Sequence, residues 1–457
     1  MPGIFAASFH SLVSYPFLPV LLPFPRLRFQ ATYNPRHASH CRSMSATATS
    51  KKSHLSQAWA MLFALASGFA LSNAYRTVAA ITAPPLAQDM GLSPQQLGTF
   101  AGSFHFMFGA MQLFMGIGID LWGVRRTILA AAPLTIIGAL LSAMAPGYGA
   151  LVAGQALIGV GCAPAFLAAT VFIARYFPVQ KFAAVSGIAM AIGVMGMLFT
   201  GTPLAWLIEK SGWRMGFWVL AGMSLLAWLW VWRSVHEERL ASNPGTAGGP
   251  RESVREALMR FGSLLRMPHT WGIVTLSFFC YAAFITLRGL WLGPMLISRH
   301  GFSLVQSGNV ALALSLTAMA GPMVFGRFDP GPVRRRRWLV RCAFVFAALF
   351  AAVAFEFGAW GDVLAALAIG FFSGFAILQY ADVRSSYPAA ITGRAMALFT
   401  MAMFLGVAAM QWFTGWVATH AQAWGLEPFG PVMGSIAALL VLAGIAYRLL
   451  PAPPRQG

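Results

Sequence analysis

Apolar runs of about 20 residues recur along the chain, separated by short polar stretches. Wound as α-helix, a run of that length covers the roughly 30 Å hydrocarbon core of a bilayer. The pattern predicts twelve spans, near residues 58–82, 96–118, 127–146, 149–174, 184–208, 216–233, 270–296, 304–326, 338–357, 363–383, 396–418 and 431–449. Six fall on each side of a polar segment at 234–268. The expected architecture is an all-α polytopic membrane protein with two six-helix halves, 57–233 and 269–450.

The two halves resemble each other at a fixed shift of 210 residues. Gly91 and Ser93 match Gly301 and Ser303, Gly98 matches Gly308, and Gly116 matches Gly326. Pro178, Gly196 and Trp206 match Pro388, Gly406 and Trp416. A duplicated membrane protein of this kind places its ligand between the repeats in many secondary transporters.

Composition agrees: 58% of residues are hydrophobic, only 9% are charged, and the mean hydropathy is +0.68. That leaves too little charge to coat a soluble domain. A net charge of +19 would suit nucleic acid, so its distribution decides its meaning. With the amino terminus inside, nearly all Lys and Arg fall in cytoplasmic segments; Lys210, Arg214 and Arg299 lie outside, and Arg76 and Arg288 lie within spans. This is the positive-inside asymmetry. It predicts both termini cytoplasmic and leaves no reason to expect a nucleic-acid partner; richness in alanine, glycine and arginine suits a bacterial inner (plasma) membrane.

Residues 1–56 read as an extension without a stable fold. Its apolar stretch is broken by Pro16, Pro19 and Pro23, and Met44 is an alternative start. Within the 234–268 linker, Val254, Leu258, Phe261 and Leu265 recur at helical spacing with Arg255 and Arg260 between them, the pattern of an amphipathic helix on the inner surface. A tail, 451–457, ends the chain. The four cysteines are scattered, and no phosphate loop, metal-ligand spacing or nucleophile motif appears in a suitable context. No cofactor, metal site or enzymatic activity is expected, and a monomer is the default.

Between the second and third spans stands Gly116-Ile-Gly-Ile-Asp120-Leu-Trp-Gly123-Val-Arg125-Arg126. It resembles the signature loop of the major facilitator superfamily, Gly-x-x-x-Asp-Arg-x-Gly-x-Arg-Arg, with Leu121 in place of the usual Arg. A shortened copy, Gly326-Arg327-Phe328-Asp329, occupies the equivalent loop of the second half. The resemblance implies a gating loop (Gly116, Asp120, Gly123, Arg125, Arg126, Asp329) that latches the cytoplasmic ends together in the outward-open state. A second, narrower resemblance is to the anion:cation symporters. It rests on Tyr75-Arg76, Ala83-Pro84 and Gly91-Leu-Ser-Pro-Gln-Gln-Leu-Gly98. That branch carries sugar acids and other organic anions. Its usual Asp-Arg is Tyr75-Arg76 here, and Gln155 stands where many proton-coupled relatives have Arg, so family-type proton coupling is not implied.

An arginine at mid-bilayer depth costs about 2.5–3.5 kcal/mol on insertion scales, so it normally faces a cavity or a partner. Aligning Pro85 with Pro294 sets Arg76 opposite Ile285, one helical turn before Arg288. Both guanidinium groups then look toward the seam between halves, or else they snorkel to headgroups. Of the 12 acidic residues, only Glu356 and Asp382 approach a span, both near its ends. An anion is therefore the natural counter-ion for Arg76 and Arg288, with Asn73, Tyr75, Gln379 and Tyr380 as polar lining. His105 and Asp382 are the candidates for a coupling proton, though each has a structural alternative.

The leading functional expectation is a secondary transporter moving a small organic anion, a carboxylate or sugar acid, by alternating access. A nitrate/nitrite-type porter would place its paired arginines in spans two and eight. A drug or metabolite exporter would want a membrane-embedded acid.

Overall fold

The computed structural model describes residues 38–178, 181–236 and 262–453. The proposed extension up to residue 37 and most of the amphipathic linker, 253–261, lie outside these. The chain divides into two units, Met1–His54 and Leu55–Gly457. The described part of the first, residues 38–54, is helical. The second unit holds everything that follows.

Among the described residues it contains twelve helices long and apolar enough to cross a membrane. They are α1 (Ser56–Thr77), α2 (Pro94–Ile119), α3 (Leu121–Ala143), α4 (Tyr148–Tyr176), α5 (Ala184–Ser211) and α6 (Trp213–Ser234) in the first half. The second half has α7 (Pro268–His300), α8 (Leu304–Arg327), α9 (Gly331–Ala354), α10 (Gly358–Ser386), α11 (Ile391–Ala423) and α12 (Phe429–Leu449). No strand occurs among the described residues. Past Thr77 the first helix continues as Ala79–Met90, carrying Pro84 and Pro85 inside it. An even number of spans puts the α6–α7 connection on the same face as the start of α1 and the end of α12, here the terminal face. The α1–α2 and α7–α8 turns lie on the opposite face.

The repeat is built into local chemistry. Gly91 and Gly301 both end a helix in the left-handed region, at φ 63° and 68°, where a side chain is disfavoured. Two residues on, Ser93 and Ser303 each form a capping box. The Ser93 hydroxyl accepts from the Gln96 amide at 3.3 Å while its own amide donates to Gln96 Oε1 at 2.9 Å. The corresponding distances for Ser303 and Gln306 are 3.1 and 2.8 Å. Each box satisfies two of the orphan donors at a helix start.

The same shift governs how the halves meet. Near the opposite face, Gly98 of α2 packs on the Gln411 carbonyl and on Gly415 of α11, and Gly308 of α8 packs on Gly201 and Ala205 of α5. These are repeat-related contacts, since 98, 201 and 205 become 308, 411 and 415. Within the halves, Gly196 lies against the Ala70 carbonyl and Gly406 against the Phe278 carbonyl. Small residues let backbones approach where lipid offers no hydrophobic drive for association.

Hydrogen bonds reinforce that seam. The Gln95 amide donates to Thr419 Oγ1 at 3.0 Å, and Thr202 donates to Asn309 Oδ1 at 2.6 Å. Buried side chains at the terminal end of the first half, among them Leu62, Leu65, Ile119, Phe172, Ile173 and Val231, form an apolar cluster of their own. A second cluster joins the rest of both halves. The halves are thus closed against each other toward the opposite face.

Candidate functional site

Arg76 lies one residue before the end of α1 and is 7% exposed. Asn73, one turn earlier, accepts from its NH1 at 3.2 Å, and Ser72 accepts from NH2 at 3.4 Å. Asn73 is itself fixed by donating to the Phe69 carbonyl at 3.2 Å. The guanidinium carbon lies 4.7 Å from the ring centre of Phe108 on α2 and 4.7 Å from that of Phe404 on α11. One aromatic face comes from each half, so the cation sits on the boundary between them. Such contacts are worth up to about 2 kcal/mol when desolvated, which helps to offset the cost of burying the charge. The Nε atom is buried and has no hydrogen-bond partner.

Phe404 is the hub of the surrounding cluster. Its ring lies 4.3 Å from Phe108, 5.4 Å from Tyr281 and 6.4 Å from His105. His105 is 1% exposed and its Nδ1 lies 3.1 Å from the Ala101 carbonyl. A carbonyl only accepts, so Nδ1 carries the hydrogen and neutral His105 turns an acceptor Nε2 toward the Gln411 amide, without a well-formed hydrogen bond. Gln155 Nε2 and both side-chain amide atoms of Gln379 and Gln411 are likewise buried without a well-formed hydrogen bond, Gln411 beside His105 and Gln379 beside Cys280. Buried polar groups are normally satisfied, so a set of this kind suits a site that takes a polar ligand.

Arg288 is fully buried, in a five-residue π-helical stretch, Leu287–Trp291, within α7. It does not snorkel outward. Its Nε donates to Ser315 Oγ at 3.0 Å, and its NH2 crosses to the first half and donates to the Met197 carbonyl at 2.9 Å. NH1 has no partner. The seam brings it near Arg76, because a Cβ on neighbouring Gly289 would lie 2.9 Å from the Arg76 carbonyl oxygen.

Of the other expected residues, Tyr75 and Asp382 pair elsewhere, while Tyr380 lies within electrostatic reach of Tyr281 and Arg76. Tyr75 is turned away from the cluster: its hydroxyl lies 3.1 Å from Ser224 Oγ on α6, and it is 2% exposed. A residue adjacent to Arg76 sits about 100° around the helix, so the two cannot both face the seam. Tyr380 stacks edge-on against Phe399 at 4.8 Å and its hydroxyl donates to Met403 Sδ at 3.6 Å. Asp382 accepts from the Tyr447 hydroxyl at 2.6 Å, between α10 and α12, and Arg384 is exposed.

In the expected gating loop, Gly123 takes φ 85°, ψ 170°, which kinks the chain two residues into α3 and explains why a glycine stands there. Gly116 lies against Leu167. Arg125 donates to the Trp232 carbonyl at 3.1 Å, and Arg126 is exposed. Asp329 binds Arg335 through both oxygens, at 3.0 and 2.6 Å, and accepts from the Gly331 amide at 3.1 Å. The side chain of Asp120 lies outside the described residues.

Sequence reasoning passed over one buried acid. Asp362 falls one residue before the expected tenth span, yet α10 begins at Gly358 and Asp362 is 1% exposed. It pairs with Arg299 at 3.0 Å and His300 at 2.9 Å, and Arg299 also holds Glu427 at 2.9 Å. These charges answer each other near the opposite face. They leave Arg76 and Arg288 without a carboxylate among the described ion pairs. The clamp of Phe108 and Phe404 was also missed, because phenylalanines in a span give no signal that separates a ligand site from packing.

Comparison with known proteins fits this geometry. The chain is 26% identical over 248 residues to a probable sulfoacetate transporter of Cupriavidus necator, covering 53% of this chain and 57% of that one. It is 22% identical over 403 residues to a D-galactonate transporter of Escherichia coli, covering 81% and 90%. A hexuronate transporter of Escherichia coli is 22% identical over 282 residues, with 60% of this chain and 65% of that one covered. Among solved structures, a D-xylose–proton symporter superposes with a TM-score of 0.68 at 16% identity, covering 86% of this chain and 98% of that one. An inward-facing, occupied bacterial homologue of the human lysosomal transporter Spinster gives 0.65 at 17% identity, covering 85% and 95%. Residues 64–410 match the family model described as Major Facilitator Superfamily, and the chain belongs to that superfamily.

Proposed function

We propose that the protein is a secondary transporter that moves a small organic anion, a carboxylate, sugar acid or sulfonate, by alternating access. The observation that carries this is Arg76, a buried cation held between an aromatic ring of each half with its Nε unpartnered. Guanidinium offers a planar fork that matches a carboxylate or sulfonate. Gln411, whose amide lies beside His105 and next to Gly289 at the Arg76 carbonyl, supplies an amide group for the rest of such a ligand. The likeness to sulfoacetate, galactonate and hexuronate transporters supports an organic anion over nitrate or a drug.

On this reading the terminal face is cytoplasmic, as the excess of Lys and Arg there favours, and the membrane is the inner (plasma) membrane. The seam closed toward the opposite face then corresponds to the inward-facing state. One chain supplies both sides of the site, so the monomer is the transport unit. A proton-coupled cycle would run through His105, whose ring lies within the Phe404 cluster with Gln411 beside it.

The test is uptake of a panel of sugar acids, sulfonates and monocarboxylates into proteoliposomes, with native protein, Arg76→Gln and His105→Gln. Saturable uptake of one anion class, lost in R76Q, supports the reading. Equal uptake by R76Q contradicts it. Uptake by H105Q that still responds to a pH gradient removes His105 as the proton carrier.

A further inference from the structure

We propose that Arg288 is the bolt of the gate on the face opposite the termini, tying closure of that gate to the Arg76 site. This rests on the carrier function proposed above. Arg288 has 0% exposure and no carboxylate among its described partners, so its charge is held by neutral oxygens alone. One of these, the Met197 carbonyl, belongs to the other half and lies 2.9 Å away.

That carbonyl is available because α5 breaks beside it. In a regular helix the Gly201 amide would bond to Met197, four residues back. Here it bonds to Leu198 instead, at 3.1 Å, and Gly201 leaves the helical region. The Met197 oxygen accepts from the Thr200 hydroxyl at 3.1 Å and from Arg288. The break thus exposes a lone pair to the seam, and α7 answers it with a π-helical turn carrying the arginine. Irregular turns of that kind recur at functional sites in helices.

The bolt connects to the anion site through two hydroxyls. Thr200 Oγ1 lies 2.6 Å from Thr77 Oγ1, and Thr77 follows Arg76 directly in the chain. Beside the bolt, Gly289 lets α7 approach the Arg76 carbonyl. Parting α5 from α7 must break the Arg288–Met197 bond. Opening the gate therefore strands a buried charge until another acceptor arrives, and the closed gate is favoured while the bond is intact. Arg288 acts here as a positioning residue: it sets the balance of conformations, and the anion is held at Arg76.

The test measures gate opening directly. In a background with native cysteines replaced by alanine, Thr419→Cys places a thiol at the seam where Gln95 now donates to the hydroxyl. Its reaction with a membrane-impermeant maleimide reports opening. Arg288→Gln should raise the labelling rate about tenfold, and Arg288→Lys should return part of the difference. Ser315→Ala, which keeps the charge and removes one acceptor, should raise labelling severalfold and serves if R288Q does not fold. Thermal stabilisation by the transported anion should persist in S315A, and its loss in Arg76→Gln provides the contrast. Unchanged labelling in S315A and in folded R288Q overturns the bolt. Unchanged labelling with loss of anion stabilisation in R288Q makes Arg288 an anion ligand instead. If no anion stabilises the native protein but labelling still rises, the anion assignment fails and the bolt stands.

Discussion

Replacing Gly98 by alanine adds one methyl group at the closed seam between the halves. The new Cβ would overlap the Gln411 carbonyl oxygen and stand 3.2 Å from both the Gln411 carbonyl carbon and the Gly415 Cα. These are backbone atoms, so no side-chain rotation relieves the clash, and α2 must move from α11. Overpacking of this kind costs about 1–3 kcal/mol. The cost falls on the state with the seam closed and disappears where it is open, so it enters the conformational equilibrium in full. An energy of that size shifts the balance roughly 5–150-fold toward opening at the face opposite the termini. The repeat-related Gly308→Ala meets the Ala205 Cβ at 2.8 Å and Gly201 at 3.2 Å, a milder approach, and should shift it less. Gly222→Ala, with nothing within 4 Å, is the control. The assay is maleimide labelling of Thr419→Cys from the side opposite the termini. Rates in the order G98A, then G308A, then G222A equal to the parent follow from the geometry. A folded G98A that labels at the parent rate refutes the claim that this seam must part.

Three further outcomes follow from the packing. Asp362→Ala strips Arg299 of its most buried partner, and breaking such a pair costs about 3–5 kcal/mol; because Glu427 stays on Arg299, the loss in Tm should sit at the low end, and Arg299→Met with Asp362→Leu should recover much of it. Tyr75→Phe removes the hydroxyl paired with Ser224 and should cost about 1 kcal/mol in thermal stability while leaving the KM for the anion unchanged; a raised KM would put Tyr75 in the site. Arg335 holds the Asp329 carboxyl below its ordinary range, so the pair contributes stability above the unfolded-state carboxylate pKa and loses it as pH falls through the depressed folded value. Asp329→Asn should therefore lower Tm at pH 7 by the equivalent of about 1–2 kcal/mol, with the gap to native protein closing in acid.

The parts of this molecule that the sequence made legible are those fixed by period and repetition. Length and hydropathy located twelve spans, and the shift that pairs Ser93 with Ser303 also pairs their capping boxes. Arg76 stood out because a charge in an apolar run needs a physical reason. Direction around a helix was harder: Tyr75 and Arg76 are neighbours in the chain, yet one packs on α6 and the other meets the second half. Pairing across the fold was harder still. Phe404 lies far from Arg76 in sequence and resembles many other phenylalanines, and the acceptor for Arg288 is a backbone carbonyl that no side-chain pattern marks. Asp362 escaped because a boundary misplaced by a few residues moved a buried acid into a loop.

The central claim is that an anion binds at Arg76, between the halves. The most direct measurement is isothermal titration of purified native protein and Arg76→Gln with sugar acids and sulfonates. Removing a charge-assisted contact of about 1.5–3 kcal/mol should weaken binding roughly 10–150-fold in R76Q with its fold intact. Equal affinity in the two proteins, or binding confined to cations and neutral compounds, would contradict the account.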